Sequence, residues 1–188
     1  MHGGLSDPLT MRVMEVKVFQ GRPVDAALAE RILALDRKNM LPVLARAGVE
    51  FPEANRRRGL AHNPTLIVAF AGQAVAGYLE YTRSWRDPAY IYVGSIQIDA
   101  PYRHTDLLLR LLAHFQTLAA AEDFLGFETN VQKSNDAAVR LYRKLGFQLT
   151  PNPDNDASWL ARAGRELLTD SPAVPLLTKW RARRAARS

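Results

Sequence analysis

The chain has 188 residues, of which 47% are hydrophobic and 23% charged, with no cysteine; this fits one globular domain with its own core and excludes disulfide scaffolds, thiolate metal sites and a cysteine nucleophile. The net charge is +6, yet residues 179–188 hold five of the 25 basic side chains and no acid, leaving 20 bases against 19 acids elsewhere, so the basicity reads as a solvated tail rather than a nucleic-acid face. The longest apolar stretch, 66–79, is interrupted by Gln73 and is too short to cross a membrane, and no charged leader with an apolar segment opens the chain, so a cytoplasmic address is expected.

In chain order, residues 1–10 carry Gly3, Gly4 and Pro8 and read as a flexible N-terminus. The pattern predicts a strand over Met11–Phe19 and a helix over Pro23–Arg37, where Leu28, Ile32 and Leu35 recur at helical spacing. A looser helical stretch, broken near its start by Pro42, runs to Arg57, and Arg56, Arg57 and Arg58 beside Gly59 read as an exposed helix end. TLIVAF and AVAGYLEY around Gly72 form a hairpin, and Tyr90–Ile98 is a further strand. Leu108, Leu111, Leu112, Phe115 and Leu118 make Thr105–Glu122 an amphipathic helix; Phe124–Val131 follows as a strand, parallel to its predecessor because a helix separates the two. Ser134 is the expected cap of the next helix, with Asp136 in its first turn, Ala138, Leu141, Tyr142 and Leu145 on its inner face, and Gly146 as its left-handed stop before Phe147. A last strand around Ser158–Ala161 and a basic helix after Pro172 complete an α+β fold on a mixed sheet: one domain over 11–171, then a basic helix or tail over 172–188.

His2, His62, His104 and His114 form no short ligand pair, so no metal site is expected. Trp85, Trp159 and Trp180 are not spaced as a base-stacking platform and read as core or interface residues; Trp180 either docks the late helix on the body or joins a homodimer contact.

The segment NVQKSNDAAVRLYRKLGFQ carries the most chemistry. Asn135 and Tyr142 lie seven residues apart, on one helical face, and both are polar where a purely structural stripe is apolar. Asn135, Ala138, Leu141, Tyr142, Lys144, Gly146 and Phe147 together resemble the second half of the GNAT N-acetyltransferase superfamily, and the element order resembles it from about Met11 to Leu160. That resemblance implies a mostly antiparallel sheet flanked by helices, with one splayed parallel pair, here Tyr90–Ile98 and Phe124–Val131. Acetyl-CoA would lie in the opening. Backbone groups near Ile96 and Ile98 would bind its pantetheine arm, Asn135 would hold it from the other side, Asn130 would join these contacts, and Arg103 and His104 would lie near the phosphates. Tyr142 would act as general acid while the amine of a small molecule or peptide attacks the thioester directly. The acceptor would enter over the early helices, where Asn39, Glu50 and Glu53 lie.

In the superfamily an R/Q-x-x-G-x-G/A run opens the long helix; here it reads Arg103-His104-Thr105-Asp106-Leu107-Leu108, with Asp106 and Leu108 at the glycine positions. Leucine disfavours positive φ, and an acid repels a pyrophosphate even though it complements the helix dipole. Glu80 is the nearest candidate base and Glu128 the second; strand alternation reads both as solvent-facing carboxylates. A non-catalytic acyl-CoA sensor or protein-interaction module stands as the alternative, and an RNA-associated protein using its arginine tail as a weaker third.

Overall fold

In the computed structural model, residues 14–21, 24–62 and 64–166 are described. The expected flexible N-terminus, the basic helix after Pro172 and Trp180 lie outside them. The hairpin predicted around Gly72 forms: β2 (Thr65–Ala71) and β3 (Ala74–Arg83) pair antiparallel, with β1 (Met14–Phe19) on the outer edge of β2. β4 (Tyr90–Ile98) pairs antiparallel with β3, and β5 (Gly126–Gln132) lies parallel to β4. β7 (Ser158–Gly164) and β6 (Gln148–Pro151) extend the sheet antiparallel, giving the order β1-β2-β3-β4-β5-β7-β6.

Every residue of β2 is buried because both faces of the sheet are covered. Ile67, Ala69 and Ala71 face α3 (Leu107–Ala120), which inserts Leu107, Leu111, Phe115 and Ala119. Leu66, Val68 and Phe70 face the other way, against α1 (Ala26–Arg46) and α2 (Glu53–Ala61), where Leu28, Ile32, Leu33 and Leu60 close a second core. α4 (Asp136–Lys144) packs on the α3 face through Val139. Burial of each such Leu, Ile or Phe stabilises the fold by about 1.5–3 kcal/mol, so neither face is dispensable.

Three details of the predicted helices differ. α1 starts at its cap Asp25, whose side chain accepts the Leu28 N–H at 2.8 Å, and it does not stop at Arg37. It continues through Pro42 to Arg46. Proline removes one helical hydrogen bond, and long-range contacts hold the last turns instead. Asn39 Nδ2 donates to Gln97 Oε1 at 3.0 Å and Ile98 O at 3.1 Å, Ser134 Oγ donates to Val43 O at 3.1 Å, and Val43 and Leu44 are buried. This helix therefore touches the far ends of both β4 and the β5–α4 turn. Second, α4 is capped by Asn135, whose Oδ1 accepts the Ala138 N–H at 3.1 Å; Ser134, the expected cap, is spent on Val43. Third, Leu141 is 41% exposed, and Val139 takes the inner position expected of it. Gly146 ends α4 at φ 95°, as its place in the sequence requires.

The parallel pair is short. β4 and β5 match only at Tyr90–Gly126, Ile91–Phe127 and Tyr92–Glu128. Opposite β3 the register jumps from Tyr81–Val93 to Glu80–Ser95, so Gly94 is an extra residue, a bulge that bends β4. β5 stays on line because it pairs with β7 along its whole length. At the point of divergence Thr129 Oγ1 donates to Val93 O at 2.7 Å, a side-chain bond where the ladder has ended.

Candidate active site

Beyond Tyr92 the facing edges of β4 and β5 enclose a cleft of about 430 Å³. Asp36, Met40 and Arg56 line it from the α1/α2 face, Ala138 and Tyr142 from the α4 face, and Ile96, Thr129 and Asn130 from the strands between. The cleft passes through the sheet, so a group bound from one face can meet a group bound from the other. Five of the expected site residues line it: Glu80, Ile96, Asn130, Asn135 and Tyr142.

On the α1/α2 side a charged cluster closes its floor. Tyr78 and Glu80, two apart on β3, point to one face, where α1 brings Asp36 and α2 brings Arg56. Arg56 Nε donates to Asp36 Oδ2 at 2.6 Å, its Nη2 donates to Tyr78 Oη at 3.1 Å, and it forms an ion pair with Glu80. Tyr78 donates to Asp36 Oδ1, and its oxygen lies 3.0 Å from Ser95 Oγ. Two carboxylates share one guanidinium, leaving one negative charge.

This overturns two sequence expectations. The Arg56–Arg58 run is not simply an exposed helix end: the Arg56 side chain is 17% exposed and inserted between Asp36 and Glu80. Glu80 does not face solvent, being 8% exposed, because α1 and α2 cover its face of the sheet. Burial opposes the Arg56 charge, but the Tyr78 oxygen, Glu80 and Asp36 more than reverse that and hold it above the ordinary arginine range. Burial also raises the Tyr78 phenol well above its usual value, against the pull of Arg56. Gly94 leaves room for the Glu80 carboxylate here: a Cβ would lie 3.2 Å from Glu80 Oε1, close enough to press on it.

On the other side the Tyr142 phenol is raised above its usual value by burial, with the Thr129 hydroxyl pulling the other way, so it keeps its proton at neutral pH. Its ring meets Phe147 edge-on at 5.0 Å. Asn135 uses its carbonyl oxygen as the helix cap, so its amide N–H groups are what remains for a ligand. Asn130 Oδ1 accepts from Arg86 at 3.3 Å and from Asn152 at 3.1 Å. Tyr92, which the sequence reading did not single out, lines the cleft at the divergence point, and burial pushes its phenol up to about 12.

The other expected residues are not brought to the cleft wall. Ile98 O accepts from Asn39 and from Arg103 Nε, and Arg103 Nη2 donates to Asn39 Oδ1 at 2.7 Å; Arg103 and His104 are exposed beyond the end of β4. Glu128 is fully buried, paired with Arg162 and Arg86 and accepting from Ser84, so its expected solvent exposure and availability as a base are both corrected. Asn39 ties α1 to β4, Glu53 pairs with Arg37 and Arg57, and Glu50 is exposed; none of the three lines the cleft. Trp85 is 59% exposed with Tyr92 at 4.5 Å and Arg86 over its ring, so of the two expected roles, core or interface, it does not take the core one. Among the described residues no group of histidine and acidic side chains can hold a metal, and no helix is long and apolar enough to cross a membrane.

The arm of coenzyme A fits this cleft and its phosphates fit less well. Past Tyr92 the two strand edges no longer pair with each other, so a linear, amide-bearing chain can hydrogen-bond between them as an added strand. At the start of α3, however, Thr105 Oγ1 already accepts the Leu107 N–H at 3.3 Å, and exposed Asp106 occupies the N-cap position.

A seven-stranded mixed sheet splayed at one parallel pair, with helices on both faces, is the fold of the GNAT acetyltransferases. Among solved structures the chain is similar to PaiA N-acetyltransferase from Thermoplasma acidophilum in complex with coenzyme A, at 14% identity and TM-score 0.59 over 80% of this chain and 99% of that one. It is similar to an acetyltransferase from Streptococcus agalactiae at 14% identity and TM-score 0.64, over 80% and 98%. Diaminobutyrate acetyltransferase EctA from Paenibacillus lautus, in complex with L-2,4-diaminobutyric acid and coenzyme A, is a third, at 20% identity and TM-score 0.52, over 80% and 95%. No curated protein sequence matches the chain. The profile of the acetyltransferase (GNAT) family matches residues 32–147, and the chain belongs to that family.

Proposed function

We propose that this protein transfers the acetyl group of acetyl-CoA to a primary amine by direct attack, in the cytoplasm. The observation that carries the reading is the through-sheet cleft, which opens Glu80 and Tyr142 from opposite faces onto one space. Acetyl-CoA supplies the thioester; its pantetheine arm would lie along the parted edges of β4 and β5, near Ile96 and the Asn135 amide. On the α1/α2 side the Glu80 carboxylate accepts a proton from the incoming ammonium, directly or through a water. On the α4 side Tyr142 Oη delivers a proton to the departing sulfur, and burial keeps that proton on the phenol until it is needed. One C–N bond forms and one C–S bond breaks; the second proton shed by the attacking nitrogen replaces the one Tyr142 gave to sulfur, the proton on Glu80 passes to solvent, and the products are an amide and a thiol.

A second reading, acyl-CoA binding without transfer, has one observation in its favour: the phosphate end of the site is built from an N-cap acid and from groups already bonded to each other. Thiol release from acetyl-CoA in the presence of amines separates the two. Transfer requires release above the buffer rate, and Tyr142→Phe should lower kcat at least tenfold while leaving CoA affinity within about twofold. Equal losses in both, or no release with any amine, would defeat the transfer reading.

A further inference from the structure

The acceptor side of the cleft is graded in polarity along one helix stripe. Asp36, Met40 and Leu44 are spaced four residues apart on α1 and all line the cleft; the last two lie about 6 and 12 Å along the axis from the first. Phe51 and Pro52 from the α1–α2 connection add to the apolar part. The inner end is the Asp36–Arg56–Glu80 cluster, with its excess negative charge. Glu80 Oε2 is buried, and its ion-pair partner is the Arg56 guanidinium.

Resting on the transfer reading, we propose that the acceptor is a monoamine with an apolar substituent of roughly six carbons, its ammonium seated beside Glu80 and its chain lying over Met40, Leu44 and Phe51. One ammonium neutralises the excess charge of the cluster. A second cation at the far end of such a chain would lose water to a wall that offers it no carboxylate in return. The cleft thus selects against a diamine of that length by the chemistry of its collar, while its floor selects for charge.

The test is calorimetric titration of ethylamine, butylamine, hexylamine and 1,6-diaminohexane into the whole chain, with acetyl transfer to each amine measured in parallel. Affinity should rise about three- to fourfold for each methylene up to hexylamine. The diamine, matched in length, should bind at least about tenfold more weakly than hexylamine. Phe51→Asp should shrink that ratio below threefold and Phe51→Leu should keep it; Met40→Gln serves in place of the aspartate variant should that one not fold. A diamine that binds as tightly as hexylamine, a flat chain-length series, or no heat from any amine at millimolar concentration would overturn the inference. Selective binding of hexylamine without its acetylation would support the seat and defeat the transfer reading. Acetylation with no chain-length preference would do the reverse.

Discussion

Replacing Arg56 with methionine tests the central electrostatic claim. The guanidinium is 17% exposed and holds two carboxylates that are themselves 4% and 10% exposed. Methionine fills a similar volume but leaves Asp36 and Glu80 facing each other without a cation. Breaking a buried pair from one side costs about 3–5 kcal/mol, because the remaining charge keeps its desolvation penalty. For a chain of this size each kcal/mol moves Tm by roughly 2–4 °C, so the midpoint should fall by about 6–20 °C. Arg57→Met is the internal control. Arg57 also sits between two carboxylates, Glu30 and Glu53, but its side chain is 46% exposed; solvent screens the pair and the midpoint should stay near that of the wild type. The deficit of the Arg56 variant should shrink toward acid pH, because protonation removes the two stranded charges. Scanning calorimetry of the three proteins at neutral pH and pH 4.5 measures all of this. An Arg56→Met loss no larger than that of Arg57→Met, or one that grows on acidification, would refute the reasoning.

Alkaline titration followed by tyrosinate absorbance gives a second test. Burial pushes Tyr81 and Tyr92 up to about 12 and raises Tyr142 as well. A phenol whose folded pKa exceeds its unfolded value of about 10 contributes stability that is complete below pH 10 and is lost as pH rises through 12; denaturant midpoints should hold to pH 10 and then fall. Asp106→Gly with Leu108→Gly should tighten CoA binding about tenfold in calorimetry by removing an anion from the phosphate end. Unchanged or weaker affinity would place the phosphates elsewhere. Gly126→Ala should cost at least about 1–3 kcal/mol in denaturant unfolding, since its Cβ would lie 2.3 Å from Ala163 O and 2.9 Å from the Tyr90 ring.

What the sequence made legible was local. The hairpin, the strand–helix–strand crossover and the α4 segment from Asn135 to Gly146 are written in periodicity and turn residues, and they appear within a few residues of where those signals put them. Tyr142 and Asn135 follow from the same helix. The cluster of Asp36, Arg56, Tyr78 and Glu80 was illegible because its side chains meet only through the packing of α1 and α2 on β3, which no local periodicity records. An arginine in a run of three, exposed in its neighbours, gives no sign that one of them is buried. The continuation of α1 through Pro42 was hidden for the same reason, since the bonds that compensate for the proline come from Gln97, Ile98 and Ser134, more than fifty residues away.

α1 also acts as a tie-bar. It is fastened at Asn39 to one jaw of the divergence and at Val43 to the other, so the aperture is set by the length of four helical residues, about 6 Å. Within that span lies Pro42, which denies Lys38 O its usual helical partner. The gauge of the opening and a helical turn short of one hydrogen bond are therefore the same short segment.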